Sequence, residues 1–430
     1  MNINLSLSQQ KSLKRIKFAI WVYLFLLIFE GALRKWVLPG LSQPLLVVRD
    51  PVAMYILFQA LYSGLYYFNI WIKIGYLLTL ISLSLTMLVG HGNLIVAIYG
   101  CRMMLLHFPL IFIIGHFLNN GDVLKMGKWL IYISIPMTIL VALQFYSPQS
   151  AWVNRGLGGD LEGSGFSGAL GYKRVPGTFS FTNGLTYFYG LVFPFILHFW
   201  LNRKERINKF ILLGATVAYL IAIPLSISRG IFFQTVLTVL FVIIASVNNK
   251  KVMSGILGVL FLAVVSFILL INLDFFSNLV NVLQTRFDAA SASEGGVIEG
   301  TLVNRIFGGL LADISNPSIS WWGSGLGMGS NVGARLLSGE KGYLIAEGEW
   351  GRLVGERGYI MGLVLICLRL SLVAKMTILS WKNTKMNNLL SWILLSFVVR
   401  LIISGQWSQP TSLGFAILSG GVLLASLKKQ

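Results

Sequence analysis

Arg174 stands at the start of a short polar motif, RVPGTF, that leads directly into an apolar run. The Pro-Gly pair inside the motif is typical of a tight turn, and Thr182 or Asn183 can cap the helix that follows. A planar guanidinium on such a turn can bind a diphosphate through paired hydrogen bonds, and Lys173 adds a second cation. The motif therefore predicts an anion site, although an anchor among lipid headgroups would use the same residues.

Three further arginines lie in polar segments. Arg229 belongs to the tight connection SISRG, at the start of a helix whose dipole favours an anion, although it could simply close a short turn. Arg286 and Arg305 stand at the two ends of the polar stretch FDAASASEGGVIEGTLVN. These positions make the three arginines candidates for the same polar site as Arg174.

The segment AEGEWGRLVGERGYIMG, residues 346–362, carries two candidate general bases. Glu347 or Glu349 can face a site at the start of a helix, where an acid is also favoured without any catalytic role. Arg352 and Glu356 are spaced for an i, i+4 ion pair that would brace this helix.

Trp321 and Trp322 precede the glycine-rich string GSGLGMGSNVG. The string superficially matches a dinucleotide-binding fingerprint, but no strand precedes it and no βαβ unit is possible there. We predict instead a flexible turn under a bound substrate. Trp321, Trp322 and Trp350 are candidate platforms for sugar rings, or else interfacial aromatic residues.

Charged residues inside apolar runs are costly in a membrane and need partners. Glu30 and Arg34 are spaced i, i+4 and are predicted to pair. Arg102 and Arg400 fall in the outer thirds of their helices, where they would reach a lipid phosphate or extend toward the interface. Asp50, in the first outer loop, could hold a metal ion or act as a base.

The chain is 430 residues long, 56% hydrophobic and 11% charged, with a mean hydropathy of +0.76. This much apolar surface cannot be buried in one soluble core, so we predict an all-α polytopic membrane protein. Apolar runs long enough to cross roughly 30 Å of hydrocarbon as helix recur about twelve times. The predicted spans are 16–33, 51–68, 74–90, 94–117, 129–147, 183–201, 210–227, 230–247, 253–273, 358–375, 387–405 and 411–427.

Lysine and arginine residues orient these spans, because cytoplasmic loops are enriched in them. The N-terminus, alternate connections and the C-terminus contain just over half of the 34 cations, so we place both termini in the cytoplasm. Anionic lipid of the inner leaflet then explains the formal charge of +19 without any nucleic acid. The cations are Lys11, Lys14, Arg15, Lys17, Lys73, Lys125, Lys128, Arg203, Lys204, Arg206, Lys209, Lys250, Lys251, Lys375, Lys382, Lys385, Lys428 and Lys429.

This topology leaves two long outer segments, residues 148–182 and 274–357. The chain divides into residues 1–273 with the first nine spans, the large outer loop 274–357, and residues 358–430 with the last three spans. Long loops in compact proteins are commonly functional, and the mixture of aromatic and charged residues in the second loop argues against simple disorder. The two cysteines give neither a disulfide framework nor a metal site, and we predict no metal and no cofactor.

The order of these motifs resembles the O-antigen polymerase and O-antigen ligase superfamily of bacterial membrane glycosyltransferases. The resemblance lies in RVPGTF with the following TN, the SISRG turn, the segment from Arg305 to GLGMG, and EGEW ahead of GERGYIMG. These pieces fall within residues 171–362. The resemblance implies a GT-C-like helical fold in the bacterial inner membrane, with the large loop in the periplasm.

For function, the resemblance implies a metal-independent, inverting glycosyl transfer. The substrate would be an undecaprenyl-diphosphate-linked glycan whose repeat units are joined into a surface polysaccharide, with other polysaccharide assembly proteins as possible partners. Arg174, Arg229 and Arg305, with Lys173 and Arg286, would stabilise the diphosphate as it leaves, and a base would assist the acceptor hydroxyl.

The resemblance also implies that ligases of this superfamily carry a histidine in the large loop, where this chain has Glu347. A polymerase is therefore favoured over a ligase. Two other classes stay open: a metal-dependent polyprenyl glycosyltransferase using Asp50, and a transporter or flippase of the same glycans. Loss of activity with a chelator would identify the first, and translocation without a new glycosidic bond would identify the second.

Overall fold

A computed structural model describes residues 6–202, 207–247, 250–294, 320–339, 344–346, 348–385 and 388–428. Most of these residues are helical. The helices are α1 (Leu7–Ala32), α2 (Arg49–Tyr62), α3 (Ile70–Leu88), α4 (Leu94–Arg102), α5 (Phe108–Phe117), α6 (Asn120–Tyr146), α7 (Thr182–Leu201), α8 (Lys209–Leu225), α9 (Arg229–Ser246), α10 (Lys250–Ile271), α11 (Asp274–Glu294), α12 (Asn331–Leu337), α13 (Glu349–Thr384), α14 (Leu390–Ser404) and α15 (Pro410–Ser426).

Within the described part of the chain, nine helical segments are long and apolar enough to cross a membrane. Three shorter apolar helices, α8, α14 and α15, accompany them. Each predicted span overlaps one of these helical segments, and their length and composition indicate a membrane-embedded protein. The all-α class is confirmed apart from one antiparallel hairpin, which is formed by β1 (Phe166–Ala169) and β2 (Tyr172–Arg174).

Two π-helical turns interrupt the first half of the bundle. Leu33–Val37 extends α1, and Met103–His107 joins α4 to α5. A π-turn adds a residue to the helical repeat and so rotates the side chains that follow it. The second turn allows Arg102 and His107 to approach the same carboxylate, as described below.

Helix α13 is broken at Gly358, whose backbone has φ +79° and ψ 171°. A Cβ on Gly362 would lie 2.7 Å from Cα of Val354, a contact that a straight helix cannot make between residues so far apart in sequence. Residues 349–357 therefore fold back against the segment that follows the break. The break coincides with residue 358, where the tenth span is predicted to begin, but the apolar helical segment itself starts at Glu349.

Helix α15 is buried along almost its whole length and packs against α5 and α14. Its small residues make this possible, because they let neighbouring backbones approach closely. A Cβ on Gly421 would lie 2.5 Å from Cβ of Ile114 on α5. A Cβ on Gly414 would overlap the guanidinium of Arg49.

The β-hairpin and α11 lie at one end of the bundle, which we call the outer end. Tyr172 of β2 stacks on Phe145 near the end of α6, with ring centroids 4.5 Å apart and an angle of 11° between the rings. The described part of the predicted large loop is mainly helical, with α11, α12 and the first segment of α13.

Candidate functional site

The RVPGTF motif forms a buried turn at the outer end. The amide of Phe179 donates to the carbonyl of Pro176 at 3.1 Å, and Gly177 between them has φ +61°. Gln144 accepts from the amide of Gly177 at 2.8 Å, and Lys35 Nζ donates to the carbonyl of Gly177 at 2.7 Å. The predicted turn is confirmed, and two buried polar side chains hold it in place.

The predicted cap of the following helix is wrong. Helix α7 begins at Thr182, and its N-cap is Phe181, which provides no side-chain hydrogen bond. Thr182 and Asn183 lie one and two positions inside the helix, too late to cap it.

The fold places several of the predicted cations on neighbouring elements, although these elements are distant from one another in sequence. A Cβ on Gly168 of β1 would lie 3.1 Å from Cδ1 of Ile227, so the hairpin packs against the connection that leads into α9. The hairpin that carries Lys173 and Arg174 is therefore next to the start of α9, whose first residue is Arg229.

Helix α11 reaches the same region. Phe287 contacts Phe232 and Phe233 of α9, with ring centroids 5.5 and 5.9 Å apart, and Arg286 is its neighbour in sequence. We call the four cations on these three adjoining elements the outer basic corner: Lys173, Arg174, Arg229 and Arg286. Arg305, the fifth predicted member, lies outside the described residues.

Glu349 is 3% exposed, and both of its carboxylate oxygens are engaged. Arg352 donates to it from Nε at 2.9 Å and from Nη2 at 2.7 Å, Arg369 Nη2 lies 2.8 Å from Oε1, and the amide of Trp407 donates at 3.1 Å. This geometry favours a bracing role, and catalysis by Glu349 stays a prediction. Glu347, the other candidate base, lies outside the described residues.

The predicted pairing of Arg352 with Glu356 is confirmed, with Nη1 of the arginine 2.6 Å from Oε2. Glu356 also accepts from the amide of Gly329 at 3.0 Å. We call Glu349, Arg352, Glu356 and Arg369 the α13 cluster. All four side chains are buried, and the helical rise places Arg369 roughly 16 Å along the axis from the break at Gly358.

Two arginines in or beside the α13 cluster keep buried N–H groups without hydrogen-bond partners among the described residues. Arg357 and Arg369 are each at most 2% exposed, and Nε and Nη1 of both lack a partner there. The Arg369 guanidinium lies 3.7 Å from the centroid of the Trp407 ring, so a cation–π contact replaces part of its lost solvation.

The glycine-rich string is packed rather than open, so the prediction of a flexible turn under a substrate is wrong. The amide of Ser324 donates to the carbonyl of Gly355 at 2.8 Å, and the amide of Leu326 donates to Oγ1 of Thr86 at 2.9 Å. A Cβ on Gly327, which has φ +84°, would lie 2.2 Å from a carbonyl oxygen of α4. The glycines permit this close backbone packing between α4 and α13.

The three candidate sugar platforms have different surroundings. Trp321 and Trp322 are 68% and 56% exposed, and the ring of Trp321 lies 5.4 Å from that of Tyr359. Trp350 instead donates from Nε1 to the carbonyl of Ile403 at 2.7 Å, which holds it against α14. Sugar stacking by these residues stays a prediction, and it suits Trp321 and Trp322 better than Trp350.

The predicted pair of Glu30 and Arg34 is confirmed and belongs to a larger network. Arg34 Nη1 lies 3.2 Å from Glu30 Oε1 and 3.0 Å from the hydroxyl of Ser180, which follows the RVPGTF motif. Arg49 Nε lies 3.3 Å from Glu30 Oε2. The end of α1, the start of α2 and the segment after the motif are thereby tied together.

Asp50 is engaged by its neighbours rather than open to a metal or a substrate. Arg102 Nη1 donates to it at 2.7 Å, and His107 Nε2 lies 3.0 Å from its other oxygen. The hydroxyl of Tyr23 lies 3.2 Å from Nδ1 of His107. Arg102 is 9% exposed, so the prediction that it reaches lipid phosphate or the interface is wrong. Arg400 is exposed, and the same expectation for it stays a prediction.

The segment from Trp407 to Pro410, which leads from α14 into the first residue of α15, contacts both the α13 cluster and the network of Glu30, Arg34 and Arg49. Trp407 donates its amide to Glu349 on one side, and Pro410 accepts from Arg49 on the other. Phe108 also packs against Trp407, with ring centroids 6.1 Å apart. Buried ion pairs from both halves of the chain therefore contact the same short segment, residues 407–410.

Within the described residues, no group of three or more His, Cys, Asp or Glu side chains could hold a metal ion. No family model, curated protein or solved structure matches the chain. The family resemblance therefore stays a prediction based on the motifs.

The sequence interpretation missed Lys35 and Gln144, the two side chains that hold the RVPGTF turn. Lys35 is 1% exposed although it carries a charge. The available signal was its position directly after Arg34 at the end of a long apolar run. No sequence pattern pointed to the contact with residue 177.

Proposed function

We propose that the chain is a membrane glycosyltransferase that polymerises undecaprenyl-diphosphate-linked oligosaccharide units into a surface polysaccharide. The observation that supports this most is the outer basic corner, where Lys173, Arg174, Arg229 and Arg286 lie on adjoining elements. Several cations at one end of an apolar helical bundle suit a substrate with a diphosphate headgroup and a long hydrocarbon chain.

In the proposed reaction, an acceptor hydroxyl attacks the anomeric carbon of the lipid-linked glycan. A new glycosidic bond forms with inversion, the bond to the diphosphate breaks, and undecaprenyl diphosphate leaves with the bonding electrons. The hydroxyl proton passes to a base, for which Glu347 is the candidate. The guanidinium groups of Arg174, Arg229, Arg286 and Arg305 stabilise the charge that develops on the diphosphate, so the reaction needs no metal.

The α13 cluster has a supporting role in this proposal. Glu349 ties Arg352, Arg369 and the α14–α15 connection together, and so positions the helical hairpin that begins next to Glu347. We further propose about twelve membrane spans in a GT-C-like arrangement, in the bacterial inner membrane, with both termini in the cytoplasm and the outer end in the periplasm.

An O-antigen ligase would share this chemistry and differ only in its acceptor. A transporter or flippase is the second candidate, and a specific observation favours it. Broken helices and buried charges are common in transporters, and α13 with the α13 cluster has both features.

One experiment separates these functions. The purified protein is incubated with the lipid-linked repeat unit, and the products are separated by size on a gel. Polymerisation predicts a ladder of glycans that persists in the presence of a chelator, and a ligase predicts a single transfer to an added lipid acceptor. A flippase predicts movement of the substrate across proteoliposomes without a new glycosidic bond, and that result would reject the polymerase.

A further inference from the structure

A cleft of about 300 Å³ opens at the outer end between α6, β2 and α11. Its floor is apolar and is formed by Phe145, Leu279 and Val282, which are at most 6% exposed. Its volume is at the lower end of the range for small-ligand pockets, which is about 300 to 1,000 Å³.

The rim of the cleft is aromatic and partly polar. Tyr146, Tyr172 and Phe275 are 54%, 37% and 44% exposed, and Asn278 is also exposed. Tyr172 is held by its stack on Phe145, so one aromatic ring of the rim has a defined position. No hydrogen bond between described residues engages the hydroxyls of Tyr146 and Tyr172 or the amide of Asn278, so all three can bind a ligand.

We infer that this cleft binds a sugar ring of the glycan substrate. A pyranose has an apolar face of C–H groups that packs on aromatic rings, and a rim of hydroxyls that exchange hydrogen bonds with phenol and amide groups. The cleft offers both kinds of contact. Trp321 and Trp322, by contrast, are exposed without lining it.

The position of the cleft supports a glycan rather than another small ligand. Tyr172 precedes Lys173 and Arg174 on β2, so the cleft adjoins the outer basic corner. A sugar in the cleft would lie close to the site proposed for the diphosphate to which the glycan is attached. The inference rests on the proposed function for the identity of the ligand, but its evidence is the shape and chemistry of the cleft.

The test measures binding without catalysis. Oligosaccharide released by mild acid from the lipid-linked glycan of the source cells is added to the full-length protein in detergent micelles, and saturation-transfer NMR reports which ring protons contact the protein. Tyr172→Ala and Asn278→Ala should each weaken binding by about fivefold. Tyr67→Ala is the matched control, because Tyr67 is 82% exposed and does not line the cleft.

The kinetic test uses the intact lipid-linked repeat unit. Tyr172→Ala should raise KM by a similar factor and leave kcat unchanged, whereas Tyr172→Phe should keep most of the binding because it keeps the ring. Thermal unfolding of each variant shows whether it is folded.

Two outcomes would overturn the inference. The first is no saturation transfer from the wild-type protein. The second is equal binding by the wild type, Tyr172→Ala and Asn278→Ala, as expected if the cleft only meets lipid headgroups. If binding depends on the cleft but the protein forms no glycosidic bond, the inference stands and the proposed polymerase fails.

Discussion

The carboxylate of Glu349 illustrates how surroundings decide the role of a single residue. The sequence places it at the start of a helix, where it could be a base or a solvated acid. In the structure it is buried against two guanidinium groups and a backbone amide. A buried charge of this kind is strongly coupled to folding, because removing it leaves its partners without compensation.

We expect Glu349→Gln to destabilise the protein by about 3 kcal/mol, because Arg352 and Arg369 would lose the charge that balances them in the bundle. Thermal unfolding in detergent micelles measures this change. Glu162→Gln is the control, because Glu162 is exposed and forms no ion pair among the described residues. A Glu349→Gln variant with wild-type stability but no glycosyl transfer would indicate a catalytic base instead.

At the scale of elements, the break in α13 determines where the α13 cluster lies. Residues 349 and 369 would be about 30 Å apart in a continuous helix, but the fold-back at Gly358 brings their side chains into contact. Two features favour glycine at the break. Its φ is +79°, and a Cβ there would lie 2.0 Å from the carbonyl oxygen of Trp321.

Gly358→Ala is therefore expected to destabilise the protein by at least about 2 kcal/mol, through backbone strain and the clash with Trp321. The measurement is again thermal unfolding, with Gly40→Ala as the matched control. A Cβ on Gly40 would have nothing within 4 Å, so its replacement should have little effect. Equal stability of the two variants would show that the break in α13 does not require glycine.

The sequence predicted the helices much better than their contacts. Hydropathy is a local property, so every predicted span overlaps an apolar helix. The contact of Glu349 with Arg369 depends on the reversal at Gly358, and the i, i+4 pattern that predicted a helix here gives no sign of that break. The glycine-rich string was misinterpreted for a similar reason, because glycine serves both open turns and close packing.

Some site residues were predictable and others were not. The turn after Arg174 was recognisable because Pro176 fixes φ and Gly177 permits the positive φ that the turn requires. The buried partners Lys35 and Gln144 lie far away in sequence, and only the tertiary fold brings them to residue 177. The pair of Glu30 and Arg34 was predictable because an i, i+4 spacing places both on one helical face.

At the scale of the whole molecule, charge and topology are coupled. The excess of cations in alternate connections predicts that the hairpin and α11 face away from the cytoplasm. A lipid-linked glycan at the non-cytoplasmic face of the membrane would then lie directly beside the outer basic corner.

This orientation predicts a specific labelling pattern. A cysteine introduced as Ser167→Cys, at an exposed position in β1, should react with a membrane-impermeant maleimide in intact cells. A cysteine introduced as Lys385→Cys, exposed after α13, should react only after the membrane is permeabilised. The reverse pattern would place the outer end in the cytoplasm and exclude a periplasmic reaction.

The most direct test of the central claim is the effect of Arg174→Ala on glycan polymerisation by the purified protein. We predict that the ladder of products falls by at least about 100-fold, because the diphosphate loses a guanidinium that stabilises it as it leaves. Thermal unfolding should remain unchanged, and Arg335→Ala, which removes an exposed arginine on α12, should leave the ladder intact. An unaltered ladder from a folded Arg174→Ala variant would contradict the account.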